Sequence, residues 1–173
     1  KAKELLRIGV ECARRAQPVW KTTRVPNRSA LVVGGGVSGM TAALAIADSG
    51  FDVHLVEKTD ALGGHLHHIY FVAEGANPQR LLRDMINRVV AHERITIHLR
   101  SELARHTGSV GDFRSILRTR TSDGITVETE IRHGATVVAT GGRESTDGRY
   151  GLGRHPGVVR QSELEELIAH QPE

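Results

Sequence analysis

The chain has 173 residues, with 23 Lys and Arg against 20 Asp and Glu, a formal charge of +3 with histidine neutral. Apolar residues at 39% and charged residues at 25% fit a globular domain and exclude a disordered polyelectrolyte. Aromatics at 3% leave no basic and aromatic stripe for nucleic acid, and the one dense basic run is Arg14, Arg15, Lys21, Arg24 and Arg28.

The single cysteine, Cys12, excludes an internal disulfide and an iron–sulfur cluster held by this chain alone. Such cysteine poverty predicts a reducing, cytoplasmic setting. No apolar run approaches the ~18–20 residues of a membrane-spanning helix. The start, KAKELLRIGVECARR, is basic and amphipathic and does not read as a signal peptide. It has no initiator Met and begins inside a helical pattern, so the chain is expected to come from a longer protein.

Residues 1–17 read as a helix with Leu5, Ile8, Cys12 and Ala16 on one side, ended by Gln17-Pro18. Cys12 is expected to be a small buried hydrophobe there. Residues 18–29 carry two prolines and read as a linker, with Trp20 and Arg24 covering a hydrophobic edge. The division expected is therefore 1–29 as helix and linker and 30–173 as one dinucleotide-binding domain.

Residues 30–33 form a short apolar strand that runs into Gly34-Gly35-Gly36. An alanine-rich helix follows from Val37 to about Ser49, and Gly50 is placed to end it. Residues 51–57 are a second strand, 59–64 a loop, 78–92 a helix opened by Asn77-Pro78, and 95–99 a third strand. Residues 113–121 and 125–131 alternate across Ser122-Asp123-Gly124, a hairpin signal. Residues 135–140 are an apolar strand ending in Gly141-Gly142, and 162–170 a closing helix capped by Ser162 with Glu165 three residues later. Its acidic face should be solvated. The order predicts an α/β nucleotide fold with a central parallel sheet flanked by helices and a small antiparallel meander or hairpin insertion.

Gly34-Gly35-Gly36-Val37-Ser38-Gly39 contains G-x-G-x-x-G after a strand and at the start of a helix, which is the context that gives this pattern meaning. Gly34 permits the tight turn, Gly36 lets a pyrophosphate approach the backbone, and Gly39 lets helix pack on strand. The helix N-terminus, through Val37 and Ser38, supplies free N–H groups for phosphate. Glu57 ends the second strand 18 residues after Gly39, where a carboxylate accepts the two ribose hydroxyls of an adenosine and repels a 2′-phosphate. Glu57-Lys58 leads to Gly63-Gly64, a second glycine turn that an NAD site does not require and that favours FAD, so the unit expected is an FAD-type Rossmann unit. Ala139-Thr140-Gly141 closes the last parallel strand near the cofactor. The residues expected to bind cofactor are thus Gly34, Gly35, Gly36, Val37, Ser38, Gly39, Glu57, Lys58, Gly63, Gly64, His65, Leu103, Ala139, Thr140 and Gly141. No catalytic residue and no metal ligand is assigned.

With these residues in place, the chain resembles the A subunit of heterodisulfide reductase, the flavin-bearing subunit of an iron–sulfur electron-transfer complex. KAKELLRIGVECARRAQPV looks like the family's helix before the flavin domain, and ALVVGGGVSGMTAALAIADSGFDVHLVEKTDALGGHL like its FAD fingerprint. NPQRLLRDMINRVVAHERITIHLRSEL, SVGDFRSI, ATVVATGGRE and GRYGLGRHPGVVRQSELEELI resemble segments that follow. The resemblance implies an FAD-holding portion of an oxidoreductase. Its electrons would pass to iron–sulfur clusters on other segments or on partner subunits, and the isolated chain would be inactive toward a disulfide. The chain lacks the family's cluster cysteines and the later Gly-Asp of the flavin domain, so the wall over the flavin ring is expected from sequence beyond Glu173. The alternatives are an NAD-dependent dehydrogenase domain and a structural or interaction module without flavin.

His65, His67 and His68 follow Gly64 on what reads as a flexible loop. They lack carboxylate or cysteine partners for a metal. His65 is expected beside the flavin, where a protonated imidazole would stabilise an anionic reduced ring.

Overall fold

The structure, a computed structural model, describes residues 1–17, 25–73, 75–145 and 148–170. The expected Trp20 and Arg24 contacts lie outside the described residues.

Helix α1 spans Ala2–Arg15 and buries no residue; Leu5 is 70% exposed and Leu6 69%. Cys12 is exposed as well, which corrects the buried position expected for it. The apolar spacing is helical as read, but no other described element packs on that side.

Strand β1 (Ser29–Val33) leads through the glycines into helix α2 (Val37–Asp48), and strand β2 (Asp52–Val56) follows. Gly50 turns the chain between them with φ +86°, a conformation glycine adopts without penalty. Helix α3 (Pro78–Ala91) starts at Asn77, whose side chain accepts the Arg80 N–H at 2.9 Å, with Pro78 in the first turn. Strand β3 (Ile95–His98) completes the unit. A meander follows as β4 (Ser101–Ser109), β5 (Asp112–Arg120) and β6 (Thr126–His133). Strand β7 (Ala135–Val138) then returns to the first sheet, and helix α4 (Gln161–Ala169) ends the described chain.

The parallel sheet has the order β3-β2-β1-β7, and the antiparallel sheet the order β4-β5-β6. Every neighbouring pair in the first sheet is parallel, as the strand–helix alternation requires. The architecture is the α/β Rossmann unit with an antiparallel insertion, and its layers divide by side. Leu82, Met85 and Val89 of α3 join Met40, Ala43, Leu44 and Ala47 of α2 over Val32, Val53 and Leu55. On the opposite face, Leu31 and Val56 pack against Leu117 and Ile131 of the meander. Alternation along β1 sends successive apolar residues to these two cores, and β2 does the same through Val53, Leu55 and Val56, with His54 on the meander side.

Strand β4 went unseen in the sequence. It is an edge strand, six of its nine residues from Ala104 on are exposed, and a register shift between Leu103 and Arg105 breaks its alternation. The start of α4 also differs from expectation. Arg160, not Ser162, is the N-cap, and Glu163 reaches back to accept the Arg160 N–H at 2.8 Å and its guanidinium at 2.6 Å. Ser162 instead gives its N–H (3.0 Å) and hydroxyl to Glu144. Glu165 is drawn to a different segment altogether.

Histidines fill the polar part of the interface between the sheets. His54 of β2 and His98 of β3 lie with Nδ1 and Nε2 3.1 Å apart. Buried Ser115 bridges His133 (2.8 Å) and His106 (3.0 Å), and the rings of His106 and His133 stack. Burial holds His54, His98 and His133 below the ordinary imidazole range; Asp52 opposes the shift at His54, the neighbouring His54 lowers His98 further, and at His133 the Ala135 carbonyl opposes the shift while His106 and then His54 add to it. The folded state therefore resists protons that the unfolded chain accepts. Stability from these groups should be intact above pH ~6.5 and fall as pH drops through the unfolded pKa toward the lower folded values. Thermal unfolding measured from pH 7.5 to pH 5 should show a falling Tm over that window, flattened in His98→Gln. A wild-type profile level across it would refute the account.

Candidate functional site

The residues singled out in the sequence converge where β1, β2 and β7 end and α2 begins. Gly34 has φ +111°, and its N–H bonds the Val56 carbonyl at 2.8 Å. A side chain there would strike the Ala139 carbonyl. At Gly39 a Cβ would strike the Gly34 carbonyl, so this glycine lets α2 lie against the strand exit. Gly36 is different. It is the N-cap of α2, with ordinary extended dihedrals and no side-chain cap, and a Cβ built on it meets nothing within 4 Å. That open space adjoins the helix start, where Val37 and Ser38 are exposed and no acidic side chain occupies the first turn.

Gly63 and Gly64 turn back onto this point with φ +122° and +53°. The Gly63 N–H bonds the Gly35 carbonyl at 2.8 Å, and Gly63 pairs with Gly36 as an isolated parallel bridge. A Cβ on Gly64 would stand 3.2 Å from the Gly36 Cα. The two glycine turns thus press against each other, and it is at Gly64 that a side chain would crowd the contact.

Glu57 is buried, with 7% exposure. Its Oε2 accepts the Gly35 N–H at 2.7 Å, while its Oε1 accepts both the N–H and the hydroxyl of Thr59 at 2.9 Å. Burial pushes the carboxyl up; the Thr59 and Gly35 N–H groups, the Thr59 hydroxyl and the Lys58 charge outweigh it and hold it below the usual carboxylate range. An ionised carboxylate offers about four acceptor sites. Three are filled, which leaves one acceptor position, on Oε2, open to a further donor. Thr59 was missed by sequence reasoning; a hydroxyl residue two positions past a buried carboxylate is the signal that would have found it.

Ala139 continues the line of β7 by giving its N–H to Val33 at 2.8 Å, Thr140 is exposed, and Gly141 has φ +68°. His65 lies on the 3-10 turn Gly64–His68, not on an unstructured loop, and its Nε2 hydrogen-bonds the Gly142 carbonyl at 2.8 Å. That bond draws the exit of β7 toward the Gly63–Gly64 turn, and nothing in the sequence marked Gly142. His67 bonds the Leu62 carbonyl at 2.7 Å. Lys58 is exposed at the rim. Leu103 stands apart from the others: its side chain packs into the core between the sheets, against Leu31, Val56, Leu117 and Ile131. Packing there, not a cofactor contact, accounts for it. Among the described residues no group of three or more metal-ligating side chains is gathered.

Known proteins are similar to this chain. The family described as "NAD(P)-binding Rossmann-like domain" matches residues 32–83, the span from β1 through the second glycine turn into α3. Over 126 residues the chain is 34% identical to the A subunit of ferredoxin:CoB-CoM heterodisulfide reductase from Methanosarcina acetivorans, covering 68% of this chain and 15% of that protein. The chain is similar to the A subunit of heterodisulfide reductase. An iron–sulfur A subunit of CoB–CoM heterodisulfide reductase from Methanopyrus kandleri is 37% identical over 116 residues, 65% of this chain and 17% of that one. Its counterpart in Methanocaldococcus jannaschii is 29% identical over 143 residues, 82% of this chain and 20% of that one. The chain therefore spans 15% to 20% of the length of these heterodisulfide reductase proteins. Among solved structures, L-proline dehydrogenase from P. horikoshii superposes with a TM-score of 0.61 at 21% identity, covering 87% of this chain and 30% of that one. This likeness concerns the fold. No helix among the described residues is long and apolar enough to cross a membrane.

Proposed function

We propose that the chain is the FAD-binding portion of a heterodisulfide-reductase-like oxidoreductase, within the expected domain 30–173. The observation that carries this reading is the apposition of two glycine turns at Gly36 and Gly63, with open space adjoining an uncapped helix N-terminus. A pyrophosphate suits that place: the N–H groups of Val37 and Ser38 would donate to it, and the positive end of the α2 dipole favours its charge. Glu57 Oε2 would accept one adenosine ribose hydroxyl. Gly141 and His65 would border the flavin half, with Gly142 orienting the imidazole. The isoalloxazine supplies one- and two-electron chemistry, while the chain binds and orients it. With Cys12 as the one cysteine, cluster ligands would come from outside this sequence, on other segments or on partner subunits.

The match to a family described as NAD(P)-binding favours a second reading, in which NAD(H) occupies the same cradle. Titration separates them. FAD should bind with a shift of its visible bands, and NADH should bind far more weakly or compete only through the adenosine half. Saturable NADH binding without flavin binding would replace the first reading with the second.

Glu57→Gln bears on the same site. A glutamine must place its NH2 against either the Gly35 N–H or the Thr59 N–H, and it removes the charge from a charge-assisted acceptor. The loss should be about 1.5–3 kcal/mol in binding, or roughly tenfold and more in Kd. The affinities for FAD and for ADP-ribose should fall together; unchanged values for both would remove Glu57 from the site.

A further inference from the structure

Resting on the reading of a dinucleotide site, we propose that Glu165 on α4 is a positioning residue that fixes the Gly63–Gly64 turn over the Gly36 cradle by clamping the far end of the segment that the turn begins. Nothing in the sequence between 32 and 83 reveals this, because the clamp comes from a helix about a hundred residues downstream.

The segment runs from Gly63 through the 3-10 turn Gly64–His68 to Phe71. Its near end is fixed by the Gly63 N–H on the Gly35 carbonyl. Its middle is held from α3, where the Gln79 amide donates to the Leu66 carbonyl at 2.9 Å and the Ile69 carbonyl at 2.8 Å. His65 ties its flank to Gly142. The far end has no strand or helix to take its N–H groups. Half-buried Glu165 does so: one carboxylate oxygen accepts the Tyr70 N–H at 2.7 Å and the Phe71 N–H at 3.4 Å, and the other accepts the Gln161 amide at 3.2 Å. The Tyr70 N–H, then the Gln161 amide, hold this carboxyl below the usual range, so the acceptor is ionised at neutral pH. The Tyr70 ring meets His170 edge-on at 5.5 Å, which seats α4 on the same residue from its other end.

A short turn pinned at both ends and at its middle has one depth. Released at Tyr70, it keeps its attachment to Gly35 but loses the brace that stops it lifting from Gly36. The side chain of Glu165 need not touch the cofactor for this, since it acts through the backbone it holds.

The test uses three variants of the whole chain. Glu165→Ala removes the acceptor, Glu165→Gln keeps one acceptor oxygen without charge, and Glu166→Ala on the same helix is the control. Amide exchange is followed without ligand, and FAD and NADH are titrated as probes. In Glu165→Ala the amides of Tyr70 and Phe71 should exchange at least tenfold faster and those of Gly63 and Gly64 several-fold faster. FAD affinity should fall at least fivefold. Glu165→Gln should restore both readings to within about twofold, and Glu166→Ala should leave them unchanged. Wild-type FAD affinity in Glu165→Ala overturns the positioning role, and so does a Glu165→Gln as impaired as Glu165→Ala. If wild type binds neither probe, the dinucleotide reading fails, and the exchange at Gly63 and Gly64 still decides the clamp: acceleration in Glu165→Ala sustains it, and no change overturns it.

Discussion

Gly36→Val is expected to abolish FAD binding, with at least a hundredfold loss of affinity, while the protein stays folded. The two effects separate because of what surrounds this residue. Apart from its chain neighbours, no protein atom lies within 4 Å of a Cβ at this position, so the valine Cβ meets no clash when the site is empty. The backbone there has φ −75° and ψ −174°, which a β-branched residue adopts freely. Stability should fall only by the loss of a favourable N-cap residue, about 1 kcal/mol. The isopropyl group would, however, stand over the N–H groups of the α2 N-terminus and fill the volume a pyrophosphate needs. Circular dichroism and a thermal melt would report the intact fold, and titration with FAD the lost site. Binding equal to wild type would mean that the phosphates lie elsewhere.

The local order of strands and helices was legible because β1 and the end of β2 are runs of buried apolar residues and each of α2 and α3 carries a clear start or stop. Asn77-Pro78 opened α3, and Gly50 closed α2. The glycines were legible as chemistry because spacing fixes their roles within one βαβ unit. What escaped was set by distance or by weak patterning. Strand β4 carries Leu103 as its one partly buried apolar residue, and a bulge follows it, so its period could not be read. Cys12 was misplaced because amphipathic spacing shows that a helix has an apolar face, not that a neighbour covers it. Ser162 and Glu165 fit a capping box by type. The structure uses Arg160 and Glu163 for the cap because Glu144 and Tyr70 take the other two, and such partners arrive only with tertiary contact. Glu57 was read correctly as a strand-end carboxylate, yet how many acceptor sites it had left depended on Thr59 and Gly35.

Gly39→Ala should do the reverse of Gly36→Val. The added methyl points at the carbonyl oxygen of Gly34, which is backbone and cannot turn aside as a side chain would. Ala139 lies on the same side, its Cβ 3.6 Å from where the new atom would be placed. Alanine in a helix gains about 1 kcal/mol over glycine, and the overlap works against that gain. Forcing α2 away from β1 also disturbs the packing of Met40, Ala43 and Leu44 on Val32 and Leu55. A net loss of about 3 kcal/mol is expected from such overpacking, which for a chain of this size is a fall in Tm of about 6–12 °C. The ligand distinguishes the two glycines further. Gly39→Ala leaves the open space at Gly36 in place, so FAD added at a hundred times its Kd should return about 2.7 kcal/mol and raise the Tm. Gly36→Val should show no such rise at any accessible FAD concentration. If FAD stabilises neither variant, Gly39 touches the ligand as well as the strand; if Gly39→Ala melts like wild type, the contact between Gly39 and Gly34 does not hold α2 in place.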